Sequence, residues 1–212
     1  MPTYSNLYLR PDSPAWQTVV TLGASTLLSG PPDVTLTWVR DDPRAATPVN
    51  AADFAGHLRI GTHGYLESLD RLAFHCGQVK LTLVRVNGAP AGRITLGNHV
   101  TLQGTAIVAY LSVTIEDHVT LGPNVTIMDS SGHPLTGRGA PDEAARITAA
   151  PVTLREHAWI GMNSIILKGV TVGRHAVVGA GSVVRDDVPD HGVVCGNPAM
   201  PVLSRARSSG LK

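Results

Sequence analysis

The sequence predicts an all-β fold, a solenoid in which short parallel strands stack as a triangular β-helix. The main observation is a six-residue repeat that reads IGMNSI, ILKGVT, VGRHAV, VGAGSV and VRDDVP from Ile160 onward. A helix has an apolar period of 3.6 residues, and a half-buried strand has a period of two. A period of six is typical of a short strand followed by a turn, repeated until three faces close one coil.

The repeat is regular enough to define coils. In each unit the first residue is Ile or Val and the fifth is small or aliphatic, with glycine and polar residues between them. Similar units, LGNHVT, IEDHVT and LGPNVT, lie between Leu96 and Gly132, a further unit starts at Leu154, and a weaker one starts at Ile60. We predict four regular coils after one or two irregular ones. A single coil has almost no interior, so its stability depends on stacking against its neighbours.

The composition agrees with a narrow prism. The chain has 212 residues, of which 43% are hydrophobic but only 4% aromatic, and it contains 22 glycines. A thin interior accommodates Ile, Val, Leu and Ala more easily than rings, and glycine suits corners where φ is positive. The net charge of +1 argues against a nucleic-acid partner or an acidic membrane partner.

The sequence suggests neither a leader nor a membrane span. The initial segment MPTYSNLYLRPDSP lacks the apolar core of a signal peptide, and no apolar run approaches the roughly 20 residues of a membrane span. Cys76 and Cys195 form neither a disulfide framework nor a CxxC pair. We therefore expect a cytoplasmic protein.

Three segments are predicted along the chain. Residues 1–55 lack the repeat, are rich in proline and carry strand-like runs at 17–22 and 34–39, which predicts a β-rich N-terminal cap on the first coil. Residues 56–203 are predicted to form the β-helix, and residues 204–212 a C-terminal tail. Within the β-helix the repeat fails at 129–150, which predicts an inserted loop. Such a loop is usually functional, and the alternative is a tolerated surface insertion.

The second half of the chain resembles the hexapeptide-repeat acyltransferases, a family that includes sugar, serine and antibiotic O-acetyltransferases. The resemblance is carried by GHPL at 132–135, by APVTLREHAWIGMNSIILKGVTVG at 150–173 and by VVGAGSVVRDDVPDHGVVCGNPA at 177–199. It implies a left-handed parallel β-helix, CoA-dependent acyl transfer, and a homotrimer with its active sites between subunits.

His133 matches the general base of this family and lies outside the repeat, at the start of the inserted loop. Imidazole titrates near neutrality and can remove the proton of an acceptor hydroxyl. No nucleophilic serine or cysteine is required, because alignment of the two substrates supplies much of the rate. Asp129 is the second candidate. It would orient or charge-stabilise the imidazole, bind the acceptor, or only cap the turn beside Ser130 and Ser131.

Five other histidines occupy the fourth position of a repeat unit, where a side chain faces outward. They are His63, His99, His118, His157 and His175. We interpret them as solvated turn residues. One coil separates His99 from His118, so their rings could stack at the strand spacing of about 4.8 Å. A zinc site like that of the carbonic anhydrases with this repeat needs a further histidine at a spacing that is missing here, so we expect no metal.

The resemblance also assigns acetyl-CoA as the cosubstrate and places its contacts on the later coils. Trp159 matches a tryptophan that lines the acyl-CoA cleft, although it would also serve in packing between subunits. Met162 and Ala180 match positions whose backbone groups bind CoA. The basic residues usual in the family are replaced, so Arg185, or Arg205 or Arg207 in the tail, is expected to contact the phosphates.

The sequence therefore predicts an acetyl-CoA-dependent O-acetyltransferase that acts on a hydroxyl of a saccharide or of a glycosylated small molecule. The IMDSSGH segment is similar to polysaccharide- and antibiotic-modifying members, so an antibiotic-modifying acetyltransferase is one alternative. An N-acyltransferase that acts on an amino or nucleotide sugar is another. Alternatives outside this chemistry are a non-catalytic trimeric scaffold or binding protein and a metalloprotein similar to carbonic anhydrase.

Overall fold

The predicted parallel β-helix is confirmed by the computed structural model, which describes residues 2–11, 13–42, 47–71 and 74–202. Its strands form three sheets, named A, B and C here, and each coil contributes one strand to each sheet in turn. The pairings within the coils are parallel. Antiparallel pairs of strands lie at the two ends of this described part, where β1 (Thr3–Leu9) pairs with β4 (Asp33–Arg40) and β20 (Val193–Cys195) pairs with β21 (Met200–Pro201). An isolated antiparallel bridge also joins Ser130 and Ala149.

The strands are short in the later coils and longer in the early ones. Sheet A contains, in spatial order, β1, β4, β7 (Lys80–Val86), β10 (Ala106–Ala109), β13 (Thr126–Met128), β16 (Ile165–Ile166) and β19 (Val183–Val184). Sheet B contains β2 (Val20–Leu22), β5 (Leu58–Ile60), β8 (Arg93–Leu96), β11 (Ser112–Ile115), β14 (Val152–Leu154) and β17 (Thr171–Val172). Sheet C contains β3 (Leu27–Ser29), β6 (Tyr65–Glu67), β9 (Thr101–Gln103), β12 (Thr120–Leu121), β15 (Trp159–Ile160), β18 (Val177–Val178), β20 and β21.

The core is a column of apolar side chains along the axis of the prism. The first residue of each repeat unit is buried, as in Ile160, Ile166, Val172, Val178 and Val184. The fifth residue is buried too, as in Ser164, Val170, Ala176, Ser182 and Val188. Burial of one Ile or Val side chain contributes about 1.5–3 kcal/mol, so the repeat concentrates its stabilising contacts in these two positions.

The coils begin earlier than residue 56. Strands β2, β3 and β4 pair parallel with β5, β6 and β7, so residues 20–40 form a first coil that the sequence analysis had assigned to the cap. The six-residue pattern does not show this coil because β4 has eight residues instead of two or three. The predicted tail at 204–212 lies outside the described residues.

The N-terminal end of the prism is covered by β1 and by a short helix, α1 (Pro14–Val19). Ser13 caps the helix, since its Oγ accepts a hydrogen bond from the Trp16 amide at 3.2 Å. Trp16 and Val19 are buried against the core. The prediction of a strand at 17–22 is therefore wrong for residues 17–19, which belong to this helix. No helix in the described part of the chain is long and apolar enough to cross a bilayer.

The corner between sheets B and C, called corner BC, carries a column of stacked imidazoles. It consists of His63, His99, His118, His157, His175 and His191. Neighbouring ring centroids are 4.7–5.1 Å apart, and all six residues have positive φ, from 54° to 60°. The side chains are exposed. Among the described residues, no group of three or more His, Cys, Asp and Glu is arranged to hold a metal ion.

Candidate active site

The inserted loop occupies the corner between sheets A and B, called corner AB, and is closed at its base. It leaves sheet A after β13 and enters sheet B at β14. The Ala150 amide donates to the Asp129 carbonyl at 2.8 Å, and the Ser130 hydroxyl donates to the Thr148 carbonyl at 3.1 Å. These two hydrogen bonds join the beginning and the end of the loop.

The loop folds back over the outer face of sheet A. Ala144 and Ile147 pack against Val39 and Val84, two residues of the strands β4 and β7. Asp41, directly after β4, accepts hydrogen bonds from the Ala144 and Ala145 amides at 2.6 and 2.9 Å and so caps the 3-10 helix Ala144–Arg146. The first coil therefore fixes the position of the loop.

His133 and Glu143 form a paired acid and base within the loop. The His133 Nδ1 and the Glu143 Oε1 are 3.0 Å apart, the His133 side chain is 39% exposed, and the Glu143 side chain is 3% exposed. The hydrogen bond assigns the proton to Nδ1, because an ionised carboxylate can only accept. Nε2 then keeps its lone pair and can act as a base.

Glu143 is held in its ionised form. The Gly139 amide donates a hydrogen bond to the Glu143 carboxylate, and this bond is the main cause of a lowered pKa for Glu143. Burial raises the pKa, whereas the hydrogen bond to His133 and the charge of Arg138 lower it further. Arg138 Nε lies 3.9 Å from the Glu143 carboxylate. An ionised Glu143 orients the imidazole and stabilises the imidazolium that forms during proton transfer.

The orienting contact belongs to Glu143 and not to Asp129. The Asp129 carboxylate is buried and accepts hydrogen bonds from the Tyr110 and Leu111 amides, each at 2.7 Å. Burial is the main influence on this carboxyl and raises its pKa. Asp129 thus joins the loop base to the turn of the preceding coil at Tyr110 and Leu111. Sequence analysis missed Glu143 because nine residues of irregular chain lie between it and His133.

A small cavity adjoins the His133 ring. Its volume is about 160 Å³, and its lining includes Pro2, Tyr4, Arg138 and Gly139 in addition to the paired histidine and glutamate. The centroids of the Tyr4 and His133 rings are 6.4 Å apart in an edge-on arrangement. Nothing in the sequence pattern points to Tyr4, because only the antiparallel pairing of β1 with β4 brings it here.

The residues expected to bind CoA occupy two places. Trp159 lies in sheet C, is 55% exposed, and stands in register between Thr120 and Val177. Met162 and Ala180 lie at the corner between sheets C and A, called corner CA, in adjacent coils. The Gly181 amide donates to the Met162 carbonyl at 2.8 Å. A Cβ on Gly161 would come within 2.5 Å of the Ala180 nitrogen, so this close approach requires glycine.

Arg185 lies apart from these residues, at corner AB. Its side chain is 61% exposed, and its Nε is 3.2 Å from the Asp186 carboxylate. His133 also lies at corner AB, on the inserted loop. One protomer therefore places its candidate base at one corner and Trp159 on another face of the prism. Arg205 and Arg207 lie outside the described residues.

Comparison with known proteins supports a common origin for the repeat region. A family model described as bacterial transferase hexapeptide (six repeats) matches residues 151–186. The galactoside O-acetyltransferase of Lactococcus lactis is 39% identical over 107 residues, which are 46% of this chain and 49% of that protein. Residues 151–186 thus carry the hexapeptide repeat of this family. The galactoside O-acetyltransferase of Escherichia coli is 38% identical to this chain over 92 residues, 43% of the chain and 44% of the relative.

The chain spans less than half the length of these two curated relatives. A solved structure covers more of the chain: an N-acyltransferase variant from Bacillus cereus, in complex with dTDP-4-amino-4,6-dideoxyglucose and coenzyme A. It is 19% identical, with a TM-score of 0.60 over 90% of this chain and 86% of that one. At this identity the likeness concerns the fold alone.

Proposed function

We propose that this protein is an acetyl-CoA-dependent O-acetyltransferase that acetylates a hydroxyl of a saccharide or of a glycosylated small molecule. The observation that carries the proposal is the pair of His133 and Glu143 at the mouth of the inserted loop, 3.0 Å apart. The two relatives named galactoside O-acetyltransferases support the transfer of acetyl to a sugar hydroxyl.

The proposed reaction is direct transfer between two bound substrates. His133 Nε2 takes the proton of the acceptor hydroxyl as that oxygen attacks the thioester carbonyl of acetyl-CoA. Glu143 keeps Nδ1 protonated and stabilises the imidazolium. When the tetrahedral intermediate collapses, the carbon–sulfur bond breaks and the sulfur receives the proton from His133. The products are the acetyl ester and the free thiol of CoA.

The donor side is proposed to use the later coils. The exposed ring of Trp159 suits the pantetheine arm, and the stacked backbone of Met162 and Ala180 offers hydrogen-bonding groups nearby. Because Trp159 and His133 lie on different faces of one protomer, we propose a homotrimer in which Trp159 of one subunit faces His133 of the next. Light scattering at micromolar concentration should give the mass of three chains, and a monomer would contradict this arrangement.

The test of the function is an acceptor screen with acetyl-CoA, read by thiol release and by the mass of the acetylated product. Wild-type protein should acetylate at least one neutral sugar. His133→Ala should lose about 10² to 10⁴ in turnover, the usual contribution of a general base, while still binding CoA. His75→Ala is the matched control, since the His75 side chain is fully exposed and its Nδ1 lies 3.3 Å from the Asp70 carboxylate. Absence of thiol release with every acceptor, or full activity of His133→Ala, would overturn the proposal.

A further inference from the structure

The cavity beside His133 is smaller than most small-molecule sites. Its volume is about 160 Å³, whereas pockets for small molecules usually have about 300–1,000 Å³. An acceptor of more than one sugar ring would place there only the part that carries the reacting hydroxyl. Its further rings would lie on the surface that continues from the lining residues.

That surface is the outer face of β1. Alternate residues of a strand share one face, so Tyr4, Asn6 and Tyr8 project together, and all three are exposed. Tyr4 lines the cavity and is 44% exposed, whereas Tyr8 lies farther along the strand and is 68% exposed. Four strand residues at about 3.3 Å each separate the two tyrosines by roughly 13 Å, which is longer than one sugar ring.

The face is rigid as well as exposed. All seven residues of β1 pair with β4, from Thr3 opposite Arg40 to Leu9 opposite Val34. The Asn6 side chain is fixed by a hydrogen bond that its Oδ1 accepts from the Thr37 hydroxyl at 2.9 Å. A fixed amide between two tyrosine rings pays little ordering entropy when a ligand binds.

The chemistry of this face favours a neutral sugar chain. Segment 3–9, TYSNLYL, contains no charged side chain. Cations lie beyond its ends: Arg10 is exposed directly after β1, and the Nε of Arg138 at the cavity is 3.9 Å from the Glu143 carboxylate. Tyrosine combines an apolar ring face, which suits the C–H face of a sugar, with a hydroxyl that can form hydrogen bonds. Between Tyr4 and Tyr8, the diphosphate of a nucleotide sugar would find no cationic side chain of β1 to pair with.

We propose that Tyr4, Asn6 and Tyr8 form an acceptor platform that binds the further rings of a neutral oligosaccharide or glycoside, while the ring to be acetylated sits against His133. This inference rests on the proposed function. It deepens that function by assigning an extended, uncharged acceptor in preference to a monosaccharide or a nucleotide sugar.

The experiment is calorimetric titration without donor, using maltotriose and β-1,4-galactotriose, with methyl glucoside and methyl galactoside as matched monosaccharides. Wild type should bind at least one trisaccharide more tightly than its monosaccharide. Tyr8→Ala should weaken that trisaccharide about five- to tenfold more than the monosaccharide, because it removes a remote stacking surface. Tyr8→Phe should keep most of the affinity, and Leu27→Ala, an exposed residue of sheet C, should change neither ligand.

Equal affinity of wild type and Tyr8→Ala for the trisaccharide, or no binding of either trisaccharide by wild type, would overturn the platform. The proposed function fails by a different readout: no thiol is released from acetyl-CoA although the trisaccharide still binds. Tighter binding of a dTDP-linked sugar than of both trisaccharides would also overturn the inference, since it requires a charged acceptor. Thermal melting verifies that each variant is folded.

Discussion

The carboxylate of Asp41 accepts a hydrogen bond from the Ala144 amide at 2.6 Å, a contact between residues 103 positions apart in the chain. A second bond, from the Ala145 amide at 2.9 Å, completes the cap. This contact fastens the loop that carries His133 and Glu143 to the first coil. It makes the geometry of the candidate site depend on the N-terminal part of the chain.

Asp41→Ala should loosen the inserted loop without unfolding the prism. Loss of hydrogen bonds to a charged acceptor costs about 1–3 kcal/mol. We expect faster amide exchange in residues 133–147 and a fall in kcat of roughly tenfold or more, because small displacements of a catalytic group are costly. Hydrogen exchange with mass spectrometry measures the first effect. Asp41→Asn retains one acceptor oxygen, so its exchange rate in residues 133–147 should lie between those of wild type and Asp41→Ala. Unchanged exchange in Asp41→Ala would contradict the anchoring role.

Glu143→Gln should lower kcat by roughly 10²-fold and leave the KM for acetyl-CoA nearly unchanged. The amide retains the shape of the side chain but no longer provides a charge that stabilises the imidazolium of His133. Initial rates with varied acetyl-CoA separate the two constants. Glu143→Asp keeps the charge and should recover part of the loss. A glutamine variant with wild-type kcat would show that His133 needs no charged partner.

Trp159→Ala should raise the KM for acetyl-CoA several-fold and lower kcat less. An exposed ring that lines a substrate channel contributes contact area in both the ground state and the transition state, and loss of such uniform binding appears in KM. Val177→Ala, the neighbour in register on the next coil, is the matched control. Unchanged kinetics together with a loss of oligomeric mass would assign the ring to packing between subunits only.

Arg185→Ala should weaken the binding of CoA by about 1.5–3 kcal/mol if its guanidinium holds a phosphate. Arg185 lies at the corner directly after β19. To bind a phosphate, its guanidinium would have to break its contact with the Asp186 carboxylate. Titration of CoA and dephospho-CoA into Arg185→Ala, and into a chain truncated after Val202, compares it with the tail that contains Arg205. Arg174→Ala, at corner BC, controls for charge. A truncated chain that alone loses the preference for CoA would assign the contact to the tail.

Acid should release the loop before it unfolds the coils. Hydrogen bonds hold the pKa of Asp41 below its usual value, against the opposing effect of burial, and the Gly139 amide does the same for Glu143. Carboxyls with a lowered folded pKa stabilise the protein above their unfolded values of about 3.9 and 4.3, and this contribution is lost as the pH falls through the folded values. The protection of the amides in residues 133–147, corrected for the intrinsic pH dependence of exchange, should therefore fall below about pH 4. Asp41→Ala should show a smaller fall in protection, and an equal fall in both proteins would contradict the assignment.

The sequence predicted the coils because each carries its own short pattern. Ile160 and Ile166 are buried and lie six positions apart, so the periodicity of the sequence alone is enough to predict that both face the core. The first coil was not predicted because β4 is long and lacks the six-residue period. Only the pairing of β4 with β7 identifies it as part of a coil. Local pattern thus predicts the regular units, whereas the boundary depends on contacts distant in sequence.

The candidate site was predictable only in part for the same reason. His133 was found because it departs from the repeat next to a recognisable motif. Glu143 and Tyr4 were not, since an irregular loop and an N-terminal strand reach the imidazole through tertiary contacts. Asp129 lies near His133 in sequence, but its carboxylate bonds to the preceding coil. Proximity along the chain was a poor guide where the backbone turns sharply.

Each histidine of the imidazole column at corner BC has two roles. Its backbone forms the left-handed turn, and its ring stacks on the rings of the neighbouring coils. Corner CA adopts the same left-handed backbone with Asn124 and Asn163, whose φ values are 60° and 58°. The turn itself therefore does not require a ring, since Asn tolerates this conformation more readily than most residues. An exchange of His118 for Asn would keep the backbone and interrupt only the column. The chain thus contains its own reference for the free energy that one stacked ring contributes to holding successive coils together.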